Sequence, residues 1–199
     1  GLLGSGTFGL YAVFADGTVA ALPASPVARV QLIHNSPDPA ASIVDVYKNG
    51  NLYANDVPFR GAKAFEFVPA GVPMNIGIAP ANSTSVNDTI KNFNYTFENG
   101  KTYVVSVIGL TGSTATPLAL NINDLGREAA ANPAQVDVAV LHGSPDAPAV
   151  DVDAVYVANN LIPNLAYGTS TGYIGLTPDV YDLAVRPAGN PTVVVATFR

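Results

Sequence analysis

The segment Val30 to Asp38, reading VQLIHNSPD, returns as Val138 to Asp146, reading VAVLHGSPD, with 108 residues separating His34 from His142. Each copy runs on into a Val-Asp-Val triplet, Val44-Asp45-Val46 and Val150-Asp151-Val152. The match continues more loosely: Phe65 to Gly71 is similar to Tyr173 to Asp179, and Ile78-Ala79-Pro80-Ala81 to Val185-Arg186-Pro187-Ala188. Solenoid repeats have periods of about 20–50 residues, so a repeat of this length is a duplicated domain. Each half of the 199-residue chain is long enough to bury its own core. The expected organisation is a first domain over 27–124, a linker over 125–134 and a second domain over 135–199.

Apolar and β-branched residues come in strand-length bursts closed by Gly, Pro, Asn or Asp: Arg29 to Ile33, Ile43 to Tyr47, Ala64 to Val68, Tyr103 to Ile108, Val136 to Leu141, Val150 to Tyr156, Tyr181 to Val185 and Val193 to Phe198. Lys48-Asn49-Gly50-Asn51 carries the Asn-Gly pair of a tight hairpin, because both central residues accept positive φ, and Glu98-Asn99-Gly100-Lys101 repeats it. With 18 Gly and 16 Pro, long helices have no room, and only Asp124 to Ala131 reads as a helical turn. The class is all-β, a sandwich or a barrel.

The pattern V-x-x-H-x-S-P-D-x-P-x-V-D-V in the second copy, ending Asp146-Ala147-Pro148-Ala149-Val150-Asp151-Val152, resembles the signature of domain of unknown function 4397. The first copy departs by two extra residues between its Ser-Pro-Asp and its Val-Asp-Val. The resemblance implies two tandem immunoglobulin-like antiparallel β-sandwiches and a secreted or cell-surface location. It implies no chemistry, since no activity is established for the family.

The two copies do not end alike. The first has a final strand pair, Lys101 to Gly109 and Pro117 to Asn123, with no counterpart before Phe198-Arg199. The counterpart lies at the front, where Thr7 to Phe14 resembles the penultimate strand and Thr18 to Leu22 the last. Residues 1–22 therefore read as a donor strand pair, and 135–199 as an incomplete sandwich with an exposed edge. The pair could complete the second domain of its own chain, as a circular permutation, or of a neighbour, as in donor-strand complementation. The short, stiff Pro23-Ala24-Ser25-Pro26 connection favours the neighbour. Phe8, Leu10, Ala12, Phe14 and Val19 are the expected donor side chains, and Val193, Val195 and Phe198 the acceptor, near Tyr181 to Phe198. A competing reading makes the chain a processed fragment, starting at Gly1 and cut after Arg199, whose completing strands lie elsewhere.

Candidate chemistry is thin. His34 and His142 are the only histidines. One reading pairs them with Asp38 or Asp45, and with Asp146 or Asp151, as metal ligands or acid–base pairs. Against it, one His per domain is too few for a usual zinc site, and Ser36-Pro37-Asp38 and Ser144-Pro145-Asp146 are turn formers whose side chains bond nearby amides. The structural reading has each His pinning that turn to the next strand. Asp45 and Asp151, alternating with valines, are expected on a solvated strand face or toward the His turn. Ser36 and Ser144 are poor nucleophiles, because the following Pro removes a backbone donor. No catalytic residue, cofactor site or metal site is assigned, and no enzyme activity is expected.

Charged residues are 12% of the chain, about half the usual share, and the net charge is −6. A basic surface for nucleic acid or anionic lipid is therefore missing, and no apolar run reaches the roughly 20 residues of a membrane span. So few charges mean that much surface is buried in an assembly or covered by glycan. Asn82-Ser83-Thr84, Asn87-Asp88-Thr89 and Asn94-Tyr95-Thr96 are sequons in a stretch read as an insertion relative to the second copy, and Asp88-Thr89-Ile90 resembles an O-glycosylation site at Thr89. The expected function is a structural subunit of an extracellular filament or surface fibre, built head-to-tail from copies of itself by strand donation. The alternative is a monomeric adhesin that recognises glycan or protein through the Ser-Pro-Asp turns.

Overall fold

The computed structural model describes residues 9–199. At the front, β1 (Leu10–Val13) and β2 (Val19–Leu22) pair, among the described residues, only with each other. A first unit follows: β3 (Val27–His34), β4 (Ile43–Lys48), β5 (Asn51–Pro58), β6 (Glu66–Pro69), β7 (Pro73–Pro80), β8 (Lys91–Thr96), β9 (Thr102–Ile108) and β10 (Ala119–Asn123). A second contains β11 (Val136–Val138), β12 (Val150–Ala154), β13 (Ala158–Leu165), β14 (Ile174–Leu176), β15 (Leu183–Pro187) and β16 (Ala196–Phe198). The described residues hold no α-helix, only 3₁₀ turns at Pro39–Ala41 and Val86–Asp88. None of their helical elements is long and apolar enough to cross a membrane.

The first unit has two four-stranded sheets, in the orders β10-β9-β3-β6 and β5-β4-β7-β8. Along β3 the alternation is regular. Ala28, Val30, Leu32 and His34 face inward and are buried, while Val27, Arg29, Gln31 and Ile33 face out. Tyr103, Val105 and Val107 of β9 join them from one side, and Val44, Val46, Ile76 and Ile78 of β4 and β7 close the core from the other. Each such side chain stabilises by about 1.5–3 kcal/mol on full burial. Pairing between these strands is antiparallel except between β3 and β9, which run parallel from Arg29↔Thr102 to His34↔Val107. That departs from the wholly antiparallel expectation. The chain builds the opposite sheet between these strands and re-enters from the same end, the long crossover that parallel neighbours require.

The second unit repeats part of this plan. The pair β11-β14 corresponds to β3-β6, and β13-β12-β15-β16 to β5-β4-β7-β8. Among the described residues it has no counterpart of β9 and β10. Its buried cluster is correspondingly thin: Val150, Val152, Ile162 and Leu165, with Val140, Leu161, Ile174, Leu183 and Val185 only partly covered.

Two local expectations are corrected. Asp124 to Ala131 forms no helical turn. Its side chains bond outward instead. Glu128 pairs with Arg29 at 2.5 Å, Arg127 pairs with Asp137 at 2.5 Å, and the Arg127 amide donates to the Tyr173 hydroxyl at 3.1 Å. The second Asn-Gly pair makes no hairpin, because β8 and β9 lie in different sheets. Gly100 turns the chain at φ 77°, and the Asn99 side chain accepts the Val27 amide at 2.9 Å. The first pair behaves as expected, with Asn49 at φ 49° and Gly50 at φ 81° joining β4 to β5.

Gly109, at the end of β9, combines φ 87° with a site where an added methyl would run into the Pro117 carbonyl. At Gly50 an added methyl meets nothing within 4 Å. Gly109→Ala should therefore cost roughly 3 kcal/mol, and Gly50→Ala about 1 kcal/mol. Urea titrations followed by circular dichroism test the difference.

Candidate functional site

The duplicated His turn is closely bonded in the first copy and exposes its Ser and Asp in the second. In the first unit it leaves β3 at His34, which is buried. Nε2 lies 2.7 Å from the Ala41 carbonyl. A carbonyl only accepts, so Nε2 carries a proton. Phe59 packs edge-on at 6.3 Å. Burial pushes the His34 pKa down, and the Ala41 bond only partly opposes this.

Two residues on, the Ser36 hydroxyl donates to the Gly109 carbonyl at 2.6 Å. Asp38 caps the 3₁₀ turn by accepting the Ala40 amide at 2.9 Å, and its other oxygen takes the Thr111 amide and hydroxyl, each at 2.6 Å. The Thr111 bonds hold its carboxyl below the usual aspartate range. Sequence patterns point to Ser36 and Asp38 but not to their partners, Gly109 and Thr111. These belong to the loop between β9 and β10, 73 residues away, and the sequence gives no sign of that closure.

In the second unit the His turn itself is preserved. His142 Nε2 lies 2.9 Å from the Pro148 carbonyl, the Ser144 amide donates to Nδ1 at 3.3 Å, and Tyr167 stacks edge-on at 6.0 Å. Ser144 and Asp146 are exposed, where Ser36 and Asp38 are buried. Beside them lies an apolar groove of about 340 Å³, lined by Val140, Leu165, Leu183, Val185, Val195 and Phe198. In the first unit the space between the equivalent strands is occupied by Tyr103, Val105 and Val107 of β9.

Neither Asp45 nor Asp151 bonds to the His turn, and Asp45 is withdrawn from the solvated face while Asp151 stays half-exposed. Asp45 is fully buried, accepting the Asp56 amide at 2.9 Å and the Ser83 hydroxyl at 2.5 Å. Asp151 repeats this with the Asn164 amide at 2.7 Å and the Gly189 amide at 2.9 Å. Those bonds hold the Asp151 carboxyl below its usual range. Asp56 (φ 53°) and Asn164 (φ 50°) are left-handed residues where the pairing register shifts. Each carboxylate thus satisfies an amide that a β-bulge takes out of the ladder. Asp153, which no sequence pattern singles out, does the same for Asn160 at 2.6 Å and pairs with Arg186 at 2.8 Å.

Of the expected donor residues, Phe8 lies outside the described residues. Leu10 (61% exposed), Phe14 and Val19 are on the surface, and Ala12 is half-covered. The hairpin register pairs Leu10 with Leu22, Ala12 with Ala20 and Val13 with Val19. Val19 therefore faces away from Leu10 and Ala12, and Leu22 takes the place it was expected to fill. Val195 and Phe198 line the groove, whereas Val193 is exposed outside its lining.

Asn82, Asn87 and Asn94 are exposed, and Thr89 is half-covered with its hydroxyl bonded to the Val86 carbonyl at 2.9 Å. Asn94 stands on β8, which pairs with β7 as β16 pairs with β15. The stretch is thus an ordered edge with a counterpart in the second unit, and not wholly an insertion. Among the described residues no three His, Asp or Glu side chains converge as metal ligands.

Asp45→Ala would take a buried acceptor from the half-buried Asp56 amide and Ser83 hydroxyl, and should cost about 2 kcal/mol in urea unfolding. His34 gives a pH signature. Its folded pKa lies below the unfolded value of about 6.5. On acidification the unfolded chain takes up a proton that the folded one refuses. This contribution is complete above that value and is lost as pH falls toward the folded pKa. The urea midpoint should drop between pH 7 and pH 5, and His34→Gln should flatten that slope.

No curated protein matches this chain. A family model described as a domain of unknown function (DUF4397) matches residues 28–153 and again residues 136–199, the first match running past β10 and through the second His turn. With every residue from Ala28 to Arg199 covered, in two overlapping matches that each contain a His-x-Ser-Pro-Asp turn, the chain belongs to the DUF4397 family.

Proposed function

We propose that this protein is a structural subunit of an extracellular filament, in which one copy donates its N-terminal strand pair to the second unit of the next. The observation that carries this reading is a mismatch between two parts of one chain. Among the described residues the β1–β2 hairpin has no partner sheet, and it exposes Leu10, Val13 and Phe14. The second unit has an apolar groove and no strand of its own, among the described residues, where β9 and β10 stand in the first. Aligning Thr7–Phe14 with Thr102–Gly109 sets Phe8, Leu10 and Ala12 on Tyr103, Val105 and Val107, the three side chains that fill the first core. Leu22 and Ala20 then take the places of Ile122 and Leu120.

The same comparison moves the acceptor edge. In the first unit β9 pairs with β3, so the incoming strand would pair with β11 and its extension toward Gly143. Tyr181 to Phe198, the edge expected from sequence, belongs to the opposite sheet and covers the groove instead of offering it a backbone ladder. With its donor strands in place each unit is an eight-stranded sandwich of immunoglobulin-like kind. Pro23-Ala24-Ser25-Pro26 leads straight from β2 into β3, so a donated hairpin stays close to its own first unit. That geometry suits a neighbour's second unit, and such a contact is head-to-tail and grows a filament. Low charge and the exposed sequons at Asn82, Asn87 and Asn94 agree with a glycan-bearing extracellular assembly.

The test is a deletion of residues 1–22. The intact chain should form fibres under the electron microscope, and the shortened chain should stay soluble, monomeric and poorly folded in its second half. Fibres from the shortened chain, or a cooperatively folded monomer, would overturn the reading. An adhesin acting through the turns predicts instead saturable ligand binding by a folded monomer, abolished by Asp146→Ala.

A further inference from the structure

In the first unit Ser36 and Asp38 act together to hold the loop that follows β9. Ser36 grips the Gly109 carbonyl, and one oxygen of Asp38 receives both the amide and the hydroxyl of Thr111. The second unit keeps both residue types, as Ser144 and Asp146, but exposes them. Among the described residues no loop reaches either one. The socket is built, and the piece that fills it in the first unit is missing from the second.

The tip of the β1–β2 hairpin carries the matching donors. Thr18 directs its amide (2.9 Å) and its hydroxyl (2.7 Å) at a single carboxylate oxygen, Oδ1 of Asp16. This is the two-donor grip that Thr111 makes on Asp38. Phe14 follows β1 directly, as Gly109 follows β9, and its amide bonds the Thr18 carbonyl at 2.9 Å. Phe14 and Thr18 are therefore side by side, as are the two socket residues, only two positions apart.

We infer that Ser144 and Asp146 receive the hairpin tip of a second copy of this chain, with Asp146 accepting the amide and hydroxyl of that copy's Thr18 and Ser144 donating to its Phe14 carbonyl. This rests on the strand-donation reading and adds to it a stop that fixes the register. A hairpin slipped by one residue would present its other face to the groove, and its tip would miss the socket. In the undocked hairpin Asp16 occupies the Thr18 donors. On docking Asp146 replaces it and Asp16 turns to solvent, so the tip is never left with unpaired donors.

The experiment follows subunit loss from fibres of the full chain after dilution into moderate urea, by sedimentation, for Ser144→Ala, Asp146→Ala, Thr18→Val and the Asp146→Ala/Thr18→Val double variant. Asp146→Ala should speed loss about tenfold or more, the effect of a hydrogen bond to a charged group. Ser144→Ala and Thr18→Val should each speed it by a smaller factor. The double variant should be no faster than Asp146→Ala alone, because both changes break one contact. Asp38→Ala should instead lower the unfolding midpoint of the first unit. Dissociation at the intact rate in all three single variants, or independent multiplication of the two effects, overturns the socket. Should removal of residues 1–22 abolish fibres while these variants are silent, the socket alone fails. Should fibres survive that removal, strand donation and the socket fall together.

Discussion

The parallel contact of β9 with β3 is the constraint on which the first unit depends. It supplies Tyr103, Val105 and Val107, all buried, to a cleft that β3 and β4 leave open. It also carries the chain to Gly109, where the Ser36 and Asp38 bonds lock the end of the sheet. Around it gathers an aromatic cluster in which Tyr95, Phe97 and Tyr103 meet edge to face at 4.9–5.9 Å. The Tyr103 hydroxyl then accepts the Glu98 amide at 3.1 Å. One strand thus completes the core, the sheet edge and the motif turn together. Among the described residues no such strand stands in the second unit, and all three are incomplete at once: the core is thin, the far edge of β11 has no paired strand, and Ser144 and Asp146 face solvent.

The opposite sheet does not share this dependence, and carboxylates explain why. Asp45 and Asp151 each tie the central strand of their sheet to both neighbours, and Asp153 adds a third tie in the second unit. All three satisfy amides displaced by bulges, so the bulged strands β5 and β13 are held by charge-assisted bonds as well as by the ladder. This lets β13-β12-β15-β16 stand as a four-stranded sheet over a half-empty core. It also accounts for the persistence of Val-Asp-Val in both copies: the valines fill the cleft, and the aspartate between them bolts the sheet.

Periodicity and punctuation made much of this legible. The 108-residue repeat and the strand bursts were both in the sequence. The parallel β3–β9 pairing was not, since sequence alternation carries no strand direction. Nor were the roles of Asp45 and Asp151, because an aspartate between valines reads as outward-facing unless the bulge opposite it is known. Asp56 and Asn164, the left-handed residues that create those bulges, look like ordinary polar positions in a chain rich in Asn and Asp. Val19 was assigned to the donor face by its apolar character, and only the pairing of Val13 with Val19 turns it away. The candidate site was legible as residues and not as a site: Ser-Pro-Asp announced a turn, while its ligand came from a loop 73 residues distant.

The proportions of the hairpin decide what a donated strand pair would have to do. One face of it carries Leu10 and Leu22 beside two alanines. Full burial of each leucine is worth about 2 kcal/mol, while association costs roughly 4–15 kcal/mol in lost freedom. Those two leucines, joined in the proposed alignment by Phe8 at a similar value, reach only the lower part of that cost. Covering the acceptor's Val140, Leu183, Val185 and Phe198 adds apolar area from the other side. The remainder has to come from directional contacts, the main-chain ladder along β11 and the polar grip at the tip. Directional contacts are satisfied in one alignment only, whereas an apolar groove accepts several. A small apolar face backed by polar contacts therefore favours register over adhesiveness, which suits a subunit that must add to its neighbour in the same way each time.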